Sequence, residues 1–315
     1  MLWLCLILLN LPHCQLTLMI PNAVFAYFRE RFPPINMALF AILFFTVQAV
    51  SSFFIAGQEE RPFWWYILGI LAVISFFFRL RVFDEIKDFD IDLHNHPQRV
   101  LQSGRIGLKH LISLSVLGTV IEIVWSLLSG WPVILVWLFA LGYSLLMRYE
   151  FFTGKFLNKY LLLYATTHML VMPLIILWVY TAFHPALEIL FPFYILAALS
   201  LLSGFSFEVA RKIHSPVAER PGVDSYSKSL GYSTSVILVL LLLLGGVLVQ
   251  LYLLSLIDAR LWAYVLIGIV FFFALLLYVN NLFRPTEKSL RLAEKIVSLF
   301  MLAAYMSIII EVYFQ

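Results

Sequence analysis

Thiols are almost missing from this chain: of 315 residues only Cys5 and Cys14 are cysteine, and both stand near its start. Neither a disulfide framework nor a cysteine-held metal is therefore available to the rest of the sequence. Charge is sparse too, at 12% Asp, Glu, Lys and Arg, and the basic residues show no stripe interleaved with exposed aromatics. That argues against a nucleic-acid partner. The alternation of polar and apolar residues that a membrane barrel needs is absent, and so is a glycine-rich phosphate loop. "GFSFE" lacks the strand-turn-helix setting of a nucleophile elbow. His94 and His96 have no further His or Cys at zinc spacing.

What the chain has in abundance is hydrocarbon. Hydrophobic residues make up 63% of it, and the mean hydropathy is +0.96, far above the range of soluble domains. Crossing a hydrocarbon core of ~30 Å takes about 20 apolar residues as helix. Nine such stretches are present, at about 35–56, 63–83, 107–128, 131–147, 160–181, 187–207, 232–257, 261–282 and 296–313. The expected fold is all-α, a polytopic membrane helical bundle around a central cavity, with a single membrane domain at 31–315. Residues 1–30 form an apolar N-terminal segment. Its first 20 residues are interrupted by Asn10, Pro12 and His13 and lack the basic start and small-residue cleavage site of a signal peptide. A peripheral helix is expected there.

Charge asymmetry orients the spans. Of the 21 Lys and Arg, all but Arg61 and Arg260 lie before the first span or around alternate connections after it. By the positive-inside rule these loops face the cytoplasm. One of them carries "FDEIKDFDID", in which Asp84, Glu85, Asp88, Asp90 and Asp92 crowd into ten positions.

If the second span continues as helix at about 100° per residue, Glu85, Asp88 and Asp92 fall within about 60° of arc. Asp84 borders them and Asp90 points away. Carboxylates this close repel in a medium of reduced dielectric and require a cation. Mg2+ suits them, because it takes oxygen ligands, keeps waters, and is commonly held by one or two carboxylates plus substrate phosphates.

The stretch "DEIKDFDID" resembles the N-D-x-x-D-x-x-x-D signature of the UbiA superfamily of intramembrane prenyltransferases, with Asp84 at the Asn position and Glu85, Asp88 and Asp92 at the acids. "HPQRVLQSGRI" is similar to the family's H-P-x-R-P-x-x-x-G-x-I continuation, with Val100 in place of Pro. "YSLLMR" resembles Y-P-x-x-K-R, with Met147 for Lys and Arg148 kept. "GVDSYSKSLG" matches G-x-x-x-T-x-x-x-x-G. The second acidic motif, D-x-x-x-D in the family, departs from the pattern: Glu208 and Lys212 hold its positions, in a longer loop that also carries Glu219 and Arg220.

The resemblance implies a Mg2+-dependent enzyme that moves a prenyl group from a prenyl diphosphate to a lipophilic acceptor, aromatic or a quinone precursor, within membrane lipid. It implies a metal at Asp84, Glu85, Asp88, Asp92 and Glu208, and a diphosphate at Arg99, Arg148, Lys212 and Lys228. At that position Lys212 either contacts the diphosphate in place of part of a second metal's role or forms an i,i+4 ion pair with Glu208, and the two are compatible. The aromatic content, 29 Phe, 15 Tyr and 8 Trp, suits a carbocation that ring faces stabilise. The same features fit a UbiA-type terpene cyclase, which needs no acceptor. Glu122 and His168, ionisable residues inside spans, are the candidate catalytic groups that orient an acceptor or take a proton, the alternative for each being an interhelical hydrogen bond. A transporter would need polar residues at successive depths, and only these two interrupt the hydrocarbon.

Overall fold

The structure, a computed structural model, describes residues 12–55, 60–157, 159–184, 191–219 and 224–314. The expectations for residues 1–11, Cys5 among them, and for Arg220 lie outside these residues. Every regular element among them is helical. In chain order they are α1 (Pro12–Arg31), α2 (Pro34–Phe54), α3 (Phe63–Lys87), α4 (Phe89–Asn95), α5 (Leu108–Ser129) and α6 (Trp131–Arg148). Then follow α7 (Gly154–Leu157), α8 (Leu161–Met169), α9 (Val171–Phe183), α10 (Phe191–Arg211), α11 (Tyr226–Ser229), α12 (Tyr232–Leu256), α13 (Leu261–Phe283) and α14 (Glu287–Phe314).

Nine helical stretches among the described residues are long and apolar enough to cross a membrane, with α8 and α9 counting as one. They match the nine expected from hydropathy. The joint between α8 and α9 lies at Leu170, three residues before Pro173, which has no N–H to continue the ladder back to Met169. The last span begins at Glu287 rather than near residue 296. Its first turns are charged, so hydropathy leaves them out. They are helical because Thr286 receives the N–H groups of Ser289 on its side chain and Leu290 on its carbonyl, and because Arg291 pairs with Glu287 and Glu294.

The chain divides into two compact units, one of Met1–Ala41 with Pro62–Trp125 and the other of Ile42–Arg61 with Ser126–Gln315. In the first, the core joins Tyr27 and Phe32, at and just beyond the end of α1, to Phe78 and Val82 of α3, Val100, Leu101 and Ile106 of the following loop, and Leu111 of α5. Rings lock this cluster: Phe28 stacks on Phe78 at 5.1 Å between centroids, and Phe40 on Phe77 at 3.8 Å. Helices α3 and α5 meet closely at Gly118, where a Cβ would come within 2.9 Å of that of Ser75. Any side chain there would force the helices apart.

In the second unit, polar side chains tie the helices where no water competes. Trp178 donates to Ser126 at 2.9 Å. Gln250 donates to Ser307 and to the Ala304 carbonyl, both at 3.0 Å. Buried Glu311 receives the Arg260 N–H at 2.9 Å and its guanidinium at 3.1 Å. Outside these ties the helices expose large apolar side chains such as Leu135, Phe139 and Phe273, as lipid-facing surfaces do.

Candidate functional site

The acidic stretch stays helical past the end of the second span, with one break. Helix α3 runs to Lys87, Asp88 leaves the helical conformation (φ −93, ψ 6), and α4 resumes at Phe89. The ladder survives the break, since Asp88 N–H donates to the Asp84 carbonyl and Asp92 N–H to that of Asp88, each at 2.8 Å. The face pattern therefore persists: Glu85 is buried, Asp88 and Asp92 are half-buried, and Asp84 and Asp90 are exposed.

Arginines gather on the buried face. Arg31, the last residue of α1, donates from Nε to Glu85 Oε1 at 2.8 Å and from Nη2 to Asp92 Oδ2 at 3.3 Å. Arg81 reaches the same Glu85 oxygen at 2.5 and 3.0 Å, one helical turn before it. Arg99 pairs with Asp92 Oδ2 at 2.5 Å. Tyr27 donates to Glu85 Oε1 at 3.3 Å. Burial, then the nearby negative charge of Glu85, pushes the Tyr27 phenol far above its usual range, so it stays a donor.

Two acceptors are left over. Glu85 Oε2 is buried without a hydrogen-bond partner, and the Asp88 carboxylate has no side-chain hydrogen bond or ion pair among the described residues. Burial, together with the charges of Asp92 and Glu85, raises Asp88 above the usual carboxylate range, against the pull of Lys87 and Arg81. Among the described residues no group of three or more His, Cys, Asp or Glu is arranged to hold a metal by itself. The donors left over fit the other mode available to Mg2+, in which one or two carboxylates share the ion with substrate phosphates.

The second acidic position is different. Both oxygens of Glu208 are taken, Oε2 by Arg211 at 2.5 Å and Oε1 by Lys212 at 2.7 Å. The loop beyond Glu208 is fastened on several sides. Tyr226 N–H donates to the Lys212 carbonyl at 3.1 Å. His214 N–H donates to Ser227 Oγ at 2.8 Å. Ser225 caps α11, receiving the Lys228 N–H at 3.2 Å and donating to Glu219 at 2.8 Å. Lys228 lies 3.5 Å from Glu219. From α14, Arg291 donates to the carbonyls of Arg211 and Ile213 at 3.0 and 2.5 Å, while Glu287 receives the Ser215 N–H and faces His214 Nδ1, each at 3.0 Å. Buried Tyr226, close to Glu208, is raised far above its usual range by burial and then by that charge.

The other residues singled out in the sequence fall in two places. Arg148 ends α6 with its guanidinium 5.5 Å from the Tyr149 ring. The next turn is unusual, because Glu150, Phe151 and Phe152 all take positive φ, at 49, 52 and 57. For residues with a Cβ this costs roughly 1–2 kcal/mol each. The turn sets Phe151 edge-on to both Tyr143 and His168, at 5.4 and 6.1 Å, and Tyr143 donates to the Thr167 carbonyl at 2.6 Å. His168 stacks on Tyr164 at 3.9 Å, with Nδ1 placed 2.8 Å from the Tyr164 carbonyl.

Glu122 lies in the first unit, fully buried, and pairs with Arg79. Sequence reading puts Arg79 among the loop-flanking bases and misses this membrane-buried pair. It misses Glu311 in the same way, and it misses Arg31 as a partner of the acids.

The family model of the UbiA prenyltransferase family matches residues 42–302. A search of the curated proteins finds none that matches. Among solved structures, one from work on the biosynthesis of digeranylgeranylglyceryl phosphate synthase in membranes is similar, with a TM-score of 0.66 and 19% identity over 92% of this chain and 99% of the other. A UbiA homolog from Aeropyrum pernix K1, solved without ligand, has a TM-score of 0.63 and 17% identity over 85% of this chain and 96% of its own. The fold is thus the UbiA fold, in an integral, multi-pass membrane protein. With the family model covering most of its length, the chain belongs to the UbiA prenyltransferase family.

Proposed function

We propose that this protein is a Mg2+-dependent membrane prenyltransferase that moves a prenyl group from its diphosphate to a lipophilic, aromatic or quinone-precursor acceptor, with residues 31–315 acting as one membrane domain and the acidic loops on the cytoplasmic side. The observation that carries this reading is the pair of unclaimed acceptors, Glu85 Oε2 and the Asp88 carboxylate, on a buried helical face otherwise neutralised by arginine. Asp88 and Glu85 would hold the ion, with Asp92 and the exposed Asp84 beside them.

Bound there, Mg2+ supplies positive charge to a departing diphosphate. The chain's own residues do the rest. Arg99, Arg148, Lys212 and Lys228 offer donors to diphosphate oxygens. The allylic C–O bond breaks and its electron pair leaves with the diphosphate. The prenyl carbon then bonds to the acceptor, which gives up a proton. Apolar helices and aromatic rings keep water from the cation in the interval. Lys212, already placed at Glu208, stands where the family has a second carboxylate, so this chain meets part of the diphosphate charge with an ammonium. Glu208 then serves to position Lys212 and Arg211 rather than to bind metal.

The test is to incubate purified protein in nanodiscs with Mg2+ and prenyl diphosphates of increasing length, with and without an aromatic acceptor, and to analyse the organic extract by mass spectrometry. Turnover that needs the acceptor supports the transferase. A cyclised hydrocarbon or alcohol formed without acceptor refutes it in favour of the cyclase.

A further inference from the structure

Arg31 closes α1, which ends before the family match begins at residue 42, yet its guanidinium reaches two carboxylates of the acidic motif. Nε lies 2.8 Å from Glu85 and Nη2 lies 3.3 Å from Asp92. Among the described residues no other cation touches both. Of these two carboxylates, Arg81 pairs with Glu85 and Arg99 with Asp92. We propose that Arg31 is a fixed counter-cation that makes metal binding conditional on diphosphate, so that the metal and the substrate's charged head enter together. This rests on the reading of the motif as a metal and diphosphate site.

The charge balance supports it. Glu85 and Asp92 are matched by three guanidiniums, from Arg31, Arg81 and Arg99. Carboxylates so compensated offer little attraction to a divalent ion arriving alone, and the ion would sit against Arg31 at the same carboxylates. A diphosphate brings enough negative charge to hold the metal and the guanidiniums together. Two donors in a rigid fork let one arginine span both acids, which a lysine's single ammonium does less well.

Arg31 is also placed rather than loose. Tyr27 and Phe32, on either side of it, are buried in the core of the same unit. Its neighbour Glu30 accepts the Val100 N–H at 3.0 Å from the loop after α4. Such anchoring holds the guanidinium at the acids without an ordering cost at each binding event.

Equilibrium dialysis of the full-length protein in nanodiscs against radiolabelled Mn2+, with and without inorganic pyrophosphate, tests this without any turnover. Wild type should retain Mn2+ weakly alone and about ten-fold or more tightly with pyrophosphate present. Arg31→Gln should bind Mn2+ alone about ten-fold more tightly than wild type, and adding Asp88→Asn should remove that gain. Wild type binding Mn2+ as tightly alone as with pyrophosphate overturns the inference whatever the variants do. So does Arg31→Gln binding like wild type while Asp88→Asn abolishes binding, an outcome that leaves the metal site intact. Mn2+ uptake that ignores Asp88 under every condition would overturn the metal-site reading itself.

Discussion

Arg79 holds Glu122 by one nitrogen: Nη1 lies 2.6 and 2.5 Å from the two carboxylate oxygens, and both residues are buried, on α3 and α5. Thr119 accepts from the same nitrogen at 3.3 Å, and the guanidinium carbon stands 4.3 Å from the centroid of the Phe76 ring. Deleting one partner takes this ion pair from the other charge in a buried setting. Arg79→Met or Glu122→Met alone is expected to cost about 3–5 kcal/mol, and the double substitution much less. Thermal unfolding in detergent reads the difference. Turnover of the double variant then separates scaffold from chemistry, because a stable but inactive protein would assign Glu122 a role toward the acceptor.

Asp88 and Asp90 are two positions apart but differ in surroundings. Asp88→Asn removes an unclaimed carboxylate from the buried face and should lower kcat/KM by at least about a hundred-fold, some 2.7 kcal/mol of transition-state stabilisation, with the melting temperature unchanged or raised. Asp90→Asn, on the exposed face, should stay within about two-fold of wild type. Steady-state rates with prenyl diphosphate check both. Comparable losses at the two positions would refute the helical phasing that joins Asp88 to Glu85 and Asp92.

Lys212→Asp restores the residue type that the family pattern carries at this position and removes the ammonium from Glu208. Activity should fall at low Mg2+ and recover at higher Mg2+, as a second ion replaces the lost cation. A Mg2+ titration of the initial rate gives the answer, and a loss that no Mg2+ concentration reverses would count against the exchange.

Arg291 ties the carbonyls of Arg211 and Ile213 to α14. Arg291→Ala should leave the helices intact but loosen residues 211–215, visible as faster amide exchange there. It should raise the KM for prenyl diphosphate more than it lowers kcat, since the loop that presents Lys212 loses its anchor.

How much of this could be read from the sequence depends on the range of the interaction involved. The nine spans are legible because hydropathy is a local property, and α3 to α4 because helical periodicity places Glu85, Asp88 and Asp92 on one face. Their distant partners are not legible. Arg31 lies 54 residues from Glu85, and Arg79 lies 43 from Glu122. A charge near the end of an apolar run looks the same in sequence whether it meets water or a buried carboxylate. The charged start of α14 escapes hydropathy for a related reason: caps and i,i+4 pairs make it helical, not apolar residues.

On the proposed function, the acidic face carries out metal-dependent cleavage of a prenyl diphosphate. Its most direct test measures diphosphate released by wild type and by Asp88→Asn in nanodiscs, with an aromatic acceptor, in Mg2+ and again after chelation. Release is expected only from wild type and only with Mg2+. Equal release from both proteins, or release that survives chelation, would contradict it.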